Sequence, residues 1–326
     1  MESLDLRVLA DALAWRRAGH AVTLATVVET WGSAPRPPGA LLAVRDDGVV
    51  SGSVSGGCVE DDLIARIQAG ERARRPAMVA YGVSKEEAAR FGLPCGGTLR
   101  LVQEPLEDIA WLEQLLARTA RHELVSRTLT LATGEVVLAH ATREQRMQFD
   151  GLMLTTLFGP KWRLLLVGAG QLSQAVAQIA AMLDFEVLVC DPRQEYSAAL
   201  GPLAAMHVPG MPDDVVRAMQ PDAHTAIVAL THDRKLDDMA LIEALRSDAF
   251  YVGALGSTRN QAARKQRLAG HFGLTDAELA RLHGPVGLRL GARTPAEIAV
   301  SICAQIIECK NRSEAPLAAG AGCAVA

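Results

Sequence analysis

The chain has 326 residues and a mass of 34.7 kDa, with 49% apolar and 21% charged side chains, which suits two domains with a core each and excludes disorder through the body. A formal charge of −4 and a pI near 6.1 exclude non-specific binding to nucleic acid or to an anionic membrane, which needs a clustered excess of Lys and Arg. Residues 1–7 lack a basic segment followed by an apolar core, and no apolar run reaches the roughly 18 residues of a membrane span. A cytoplasmic protein with reduced thiols is therefore expected. The six cysteines (Cys58, Cys95, Cys190, Cys303, Cys309, Cys323) form no C-x-x-C pair, so a structural metal site is not expected.

Leu6, Leu9 and Leu13 mark one face of an opening helix that Gly19 can stop, and the β-branched run 21–28 predicts a strand. The next segment, Gly32-Ser33-Ala34-Pro35-Arg36-Pro37-Pro38-Gly39, cannot continue a ladder because prolines supply no N–H. A hairpin is predicted over 40–51 about Asp46-Asp47-Gly48. The turn Gly52-Ser53-Val54-Ser55-Gly56-Gly57-Cys58 then opens a helix burying Val59, Leu63, Ile64 and Ile67, with Glu60, Asp61 and Asp62 in its first turn. A third glycine turn, Gly92-Leu93-Pro94-Cys95-Gly96-Gly97, leads into a strand at 98–102. A helix at 107–120 and two β-rich stretches within 123–141 follow, the latter read as an added hairpin layer.

Residues 151–160 read as a linker. Beyond it a buried strand at 163–167, a helix at 172–183 and a second strand at 186–190 have the spacing of a parallel β-α-β unit. Further strands are expected at 225–230 and 249–252. Thr275-Asp276-Ala277-Glu278 and Thr294-Pro295-Ala296-Glu297 both match the capping box, and Ile298, Ile302 and Ile306 stripe the last helix. The fold class is thus α/β: a Rossmann-like domain with a parallel sheet at 161–326, and a smaller α+β domain at 1–150 whose added hairpin region spans 105–145.

Gly168-Ala169-Gly170-Gln171-Leu172-Ser173 ends a strand and opens a helix, and Asp191 stands about twenty residues on, where a dinucleotide fold places its ribose acceptor. Ser173 replaces the third glycine. An NAD(P) or other nucleotide site is one reading, with His232 as the proton donor of an oxidoreductase; an inherited fold with an idle crevice is another. His232 and Asp233 follow an apolar strand at the edge where open α/β sheets take ligands, and equally suit a polar turn. Gly256 and Ser257 form a similar turn. Ser33 and Arg36 can bind an anion, and Cys58 and Cys95 each adjoin a Gly-Gly pair, although a loop cysteine is also a small buried hydrophobe. The helix dipole favours a Cys58 thiolate while the neighbouring acids oppose it.

Taken together, these segments resemble the XdhC/CoxI family, maturation factors for molybdenum hydroxylases such as xanthine dehydrogenase. The resemblance rests on Gly32-Ser33-Ala34-Pro35-Arg36, on 52–60 with Cys58, on Cys95-Gly96-Gly97, on Gly168-Ala169-Gly170, on Thr231-His232-Asp233, on Tyr251-Val252-Gly253 with Gly256-Ser257, and on 284–299 with Arg293. Gln171, Ser173 and Arg289 depart from the family pattern. The resemblance implies a chaperone rather than a turnover enzyme, binding molybdenum cofactor in its molybdopterin form, assisting its sulfuration with a cysteine desulfurase, and inserting it into a xanthine dehydrogenase-type molybdenum hydroxylase. It implies cofactor-binding roles for Ser33, Arg36, Ser55, Gly56, Gly57, Gly96, Gly97, Gly168, Gly170, Gln171, Asp191, His232, Asp233, Gly256, Ser257 and Arg293. Cys58 and Cys95 would contact molybdenum or relay sulfur. A homodimer is the expected assembly.

Overall fold

The computed structural model describes residues 3–30, 36–82, 98–142, 145–197 and 206–314. The chain divides into two compact units, Met1–Pro160 and Lys161–Ala326.

In the first unit, strands β1 (Val22–Thr30), β2 (Leu41–Arg45), β3 (Val50–Gly52), β4 (Ala77–Tyr81) and β5 (Leu99–Pro105) form an antiparallel sheet in the order β3-β2-β1-β5-β4. Its central strands are apolar on both faces because helices cover both. Leu24, Leu41 and Ala43 pack against Val8, Leu9 and Ala12 of α1 (Ser3–Arg17) and Trp111, Leu112 and Leu115 of α3 (Ala110–Ala120). Their neighbours Ala25, Leu42 and Val44 point the other way, onto Val59, Leu63 and Ile67 of α2 (Cys58–Gln68). That two-sided burial turns the alternation of a half-exposed strand into the continuous run seen in the sequence.

A second antiparallel sheet follows, β7-β6-β9-β8, from β6 (Val125–Thr130), β7 (Val136–His140), β8 (Gln148–Phe149) and β9 (Met153–Phe158). Residues 151–160, read from sequence as a linker, are thus largely a strand, paired with β6 from Val125–Phe158 to Thr130–Met153. The Asp150-Gly151 step is a hairpin turn, in which Asp150 Oδ1 accepts from the N–H groups of Leu152 and Met153.

In the second unit, β10 (Arg163–Val167), β11 (Glu186–Cys190), β12 (Thr225–Ala229), β13 (Tyr251–Ala254) and β14 (Leu282–His283) form a parallel sheet in the order β11-β10-β12-β13-β14. One parallel bridge, Val189 to His207, stands where a Rossmann fold has its third strand. The sheet is sandwiched. Leu164, Leu166 and Val228 face α4 (Gln171–Met182) and α10 (Pro295–Glu314), while Leu165, Val167 and Ile227 face α6 (Pro212–Met219) and α7 (Arg234–Arg246). Each such fully buried Leu contributes roughly 2 kcal/mol. The remaining helices are α5 (Gln194–Ser197), α8 (Thr258–Phe272) and α9 (Asp276–Ala280). Both capping boxes form: Glu278 accepts from the Thr275 N–H at 2.7 Å and Glu297 from the Thr294 N–H at 3.1 Å.

Candidate functional site

Parallel strands deliver their carboxyl ends, and the helices that follow deliver their N-termini, to one edge of the second unit. The turns after β10 and β12 touch there. A Cβ on Gly168 would stand 2.9 Å from Thr231 Cγ2, and the residue's φ is +109°, so only glycine permits the approach. Gly170 caps α4, whose first turn holds no acid and begins with the exposed Gln171. Ser173, at the third-glycine position, is buried against the sheet.

Asp191, at the position of a ribose acceptor, already has its carboxylate engaged within the protein. Its carboxylate is fully buried and accepts from the Ala169 N–H at 3.0 Å, the Arg193 N–H at 3.1 Å, and Arg193 Nε and Nη2 at 2.9 and 2.8 Å. Burial works against the charge, but these hydrogen bonds hold the carboxyl below its usual range. Asp191 ties the glycine turn to Arg193, which lies over the Tyr196 ring. A local ion pair two residues along has captured the group that a dinucleotide would need.

Between the turns after β12 and β13 lies a cleft of about 350 Å³ lined by Thr231, His232, Arg234, Asn260, Arg264 and Arg267, among others. Asp233 is the N-cap of α7, accepting from the Lys235 N–H, and Ser257 is the N-cap of α8, accepting from the Asn260 N–H. Both side chains are therefore engaged in capping the helices beside the cleft. His232 and Gly256 line the space itself. Beneath them Asp237 accepts from Thr231 N–H and Oγ1 and from Arg264 Nη2; burial pushes its carboxyl up, against the pull of Thr231 and Arg264. Arg267 holds Asp238 through two bonds of 2.6 and 2.9 Å. The run Thr231-His232-Asp233-Arg234 is placed at this edge by the sequence, whereas sequence reasoning missed Arg264 and Arg267. The available signal was their i, i+3 spacing on a helix opened by Gly256-Ser257.

In the first unit the turn before α2 already holds an anion, the carboxylate of Glu60. It accepts from the N–H groups of Val54, Ser55, Gly56 and Gly57 at 2.9, 2.9, 3.1 and 2.9 Å, and from the hydroxyls of Ser53 and Ser55. Burial opposes ionisation, yet the Ser55 hydroxyl and the other donors set the carboxyl at about 2. The N–H groups of Ser55, Gly56 and Gly57, residues to which the resemblance gives a cofactor-binding role, donate to Glu60 in this structure. Cys58 is the first residue of α2, with its side chain outside the described residues. Ser33, Cys95, Gly96 and Gly97 also lie outside them. Arg36 is half-buried ahead of β2, and Arg293 is an exposed residue whose N–H donates to Glu297. Among the described residues no three His, Cys, Asp or Glu side chains could together hold a metal ion, and no helix is long and apolar enough to cross a membrane.

Two family models match, the XdhC and CoxI family over residues 15–82 and the XdhC Rossmann domain over residues 164–306. The chain belongs to the XdhC and CoxI family. It is 28% identical over 318 residues to the molybdenum cofactor insertion chaperone PaoD of Escherichia coli, covering 95% of this chain and 89% of that one. It is 28% identical over 315 residues to a probable subunit of xanthine dehydrogenase from Bacillus subtilis, covering 89% and 93%. A crystal structure described as a xanthine dehydrogenase from Bacillus halodurans superposes with a TM-score of 0.76 at 26% identity, covering 96% of each chain. The XdhC Rossmann match contains the whole cleft, and the XdhC and CoxI match contains the Glu60 turn.

Proposed function

We propose that this XdhC-family chain is a molybdenum cofactor chaperone: it binds the molybdopterin form, assists its sulfuration by a cysteine desulfurase, and inserts it into a xanthine dehydrogenase-type hydroxylase. The observation that carries the reading is the near full-length similarity to a molybdenum cofactor insertion chaperone. The edge of the second unit suits the anionic part of such a cargo, with Arg234, unpaired among the described residues, beside two helix N-termini. At the soft end a thiolate is needed. Burial drives the Cys190 and Cys303 thiols up to about 12 and about 11, so neither supplies a thiolate near neutral pH. Cys58 and Cys95 are the thiols we assign to molybdenum contact or sulfur relay. Their place is a homodimer in the cytoplasm.

An NAD(P)-dependent oxidoreductase draws no support from Asp191, whose carboxylate is taken by Arg193 and Ala169. The deciding experiment purifies the protein from cells that make molybdenum cofactor and assays released pterin and metal. Near-stoichiometric pterin is expected, with reduced loading or reduced sulfuration in Cys58→Ala and Cys95→Ala. Protein that carries no pterin above background, while binding NAD(H) tightly, would overturn the reading.

A further inference from the structure

Glycine turns attract anions because their N–H groups are exposed and often followed by a helix N-terminus. In this chain the turns differ in how much of that attraction is already spent. Glu60 takes four N–H groups in the turn before α2. Asp191 takes the Ala169 N–H in the turn after β10 and is itself neutralised by Arg193. The turn after β13 has no internal acid on it: the first turn of α8 carries no Asp or Glu, and the turn opens onto the arginine-lined cleft.

The charges of that cleft do not cancel. Three arginines line it, Arg234, Arg264 and Arg267. Arg264 pairs with Asp237 at 3.0 Å and Arg267 with Asp238 at 2.6 Å, which leaves one cation over. That cation is Arg234, exposed, with no hydrogen-bond or ion-pair partner among the described residues. Arg264, with only 7% of its side chain exposed, keeps Nε buried, 3.9 Å from Asp238. Arg264 is thus a fixed positive wall, its Nη1 and Nη2 donating to Leu255 O, Gln261 Oε1 and Asp237, and it adds charge to the cleft without offering a free donor. His232 and the Asn260 side chain, both exposed and without a hydrogen-bond partner among the described residues, add further donors. The space of about 350 Å³ is far larger than a phosphate and falls in the range of small-molecule sites.

We propose that the cleft between the turns after β12 and β13 is a binding site for a phosphate monoester, with the phosphate against Arg234, Asn260 and the N-terminus of α8 and the organic part filling the remaining volume. Asp237 and Asp238 hold Arg264 and Arg267 in place, so the walls are preorganised and Arg234 is the charge that closes on the ligand. As the seat of the cargo's phosphate this inference rests on the chaperone reading; as a monoester site it does not.

The test uses full-length protein from cells unable to make molybdenum cofactor, titrated calorimetrically with adenosine monophosphate, ribose 5-phosphate, adenosine and inorganic phosphate. At least one monoester should bind, and inorganic phosphate and adenosine should each bind about tenfold more weakly or not at all. Loss of one charge-assisted contact in Arg234→Ala should weaken the monoester about tenfold or more, with Arg217→Ala, on the exposed face of α6, as an unaffected control. Asn260→Ala should weaken it less. Absence of binding by both monoesters, inorganic phosphate binding as tightly as either, or affinity indifferent to Arg234→Ala and Asn260→Ala would each overturn the proposal. Cofactor loading with Arg234→Ala unaffected refutes the subsite and leaves the chaperone standing; monoester binding without cofactor capture does the reverse.

Discussion

Replacing Glu60 by glutamine keeps the size of the side chain and removes the charge that four N–H groups and two hydroxyls surround. A carboxyl brought from its ordinary value of 4.5 to about 2 corresponds to roughly 3 kcal/mol of stability at neutral pH. The folded value is the lower one, so this contribution is complete above the unfolded value and fades as pH falls toward the folded value. Denaturant unfolding of the native and Glu60→Gln proteins should therefore differ by roughly 3 kcal/mol at pH 7, with the gap narrowing steadily below pH 5. A gap independent of pH would mean that shape rather than charge organises the turn. Because Glu60 sets the backbone of Gly57, whose φ of +152° no side-chain-bearing residue adopts readily, the same variant should also disturb the start of α2 and with it Cys58.

Elements were legible from sequence where one physical signal dominated. The two capping boxes, the turn after β10 and the buried runs of β10 and β12 all announce themselves by type and spacing. Strand β9 did not, because Asp150-Gly151 reads equally as a linker and as a hairpin turn, and only the partner β6 decides. Among the described residues the third Rossmann strand is a single bridge, too short to leave a pattern. In the site, positions at the sheet edge could be placed from chain order, whereas the pairing of Asp191 with Arg193 and of Glu60 with its own turn could not, since both depend on side-chain direction. The same holds for the ion pairs that join α7 to α8. Asp237→Asn would leave Arg264 buried against a neutral amide, a loss of about 3 kcal/mol or more for a broken buried pair. Thermal unfolding should shift down by roughly 10 °C, and monoester affinity should fall as Arg264 moves. A shift of only a degree or two would show that the pair is dispensable and that the cleft wall is held by packing alone.

At the scale of the molecule, each unit has cores of its own. Leu164, Leu166 and Val228 with α4 and α10, and Leu165, Val167 and Ile227 with α6 and α7, are completed entirely by residues after 160. The first unit likewise closes its two-faced sheet with α1, α2 and α3. A domain with a complete core folds alone, so a fragment of residues 161–326 should be soluble, retain helical circular dichroism and unfold cooperatively. Every residue lining the cleft belongs to that fragment, so monoester binding should survive in it within about threefold of the full chain. Cofactor loading should not, because Cys58 and Cys95 lie in the other half. A fragment that folds and keeps both properties would remove the two thiols from the cargo site, and one that folds but binds no monoester would overturn the cleft as the phosphate site.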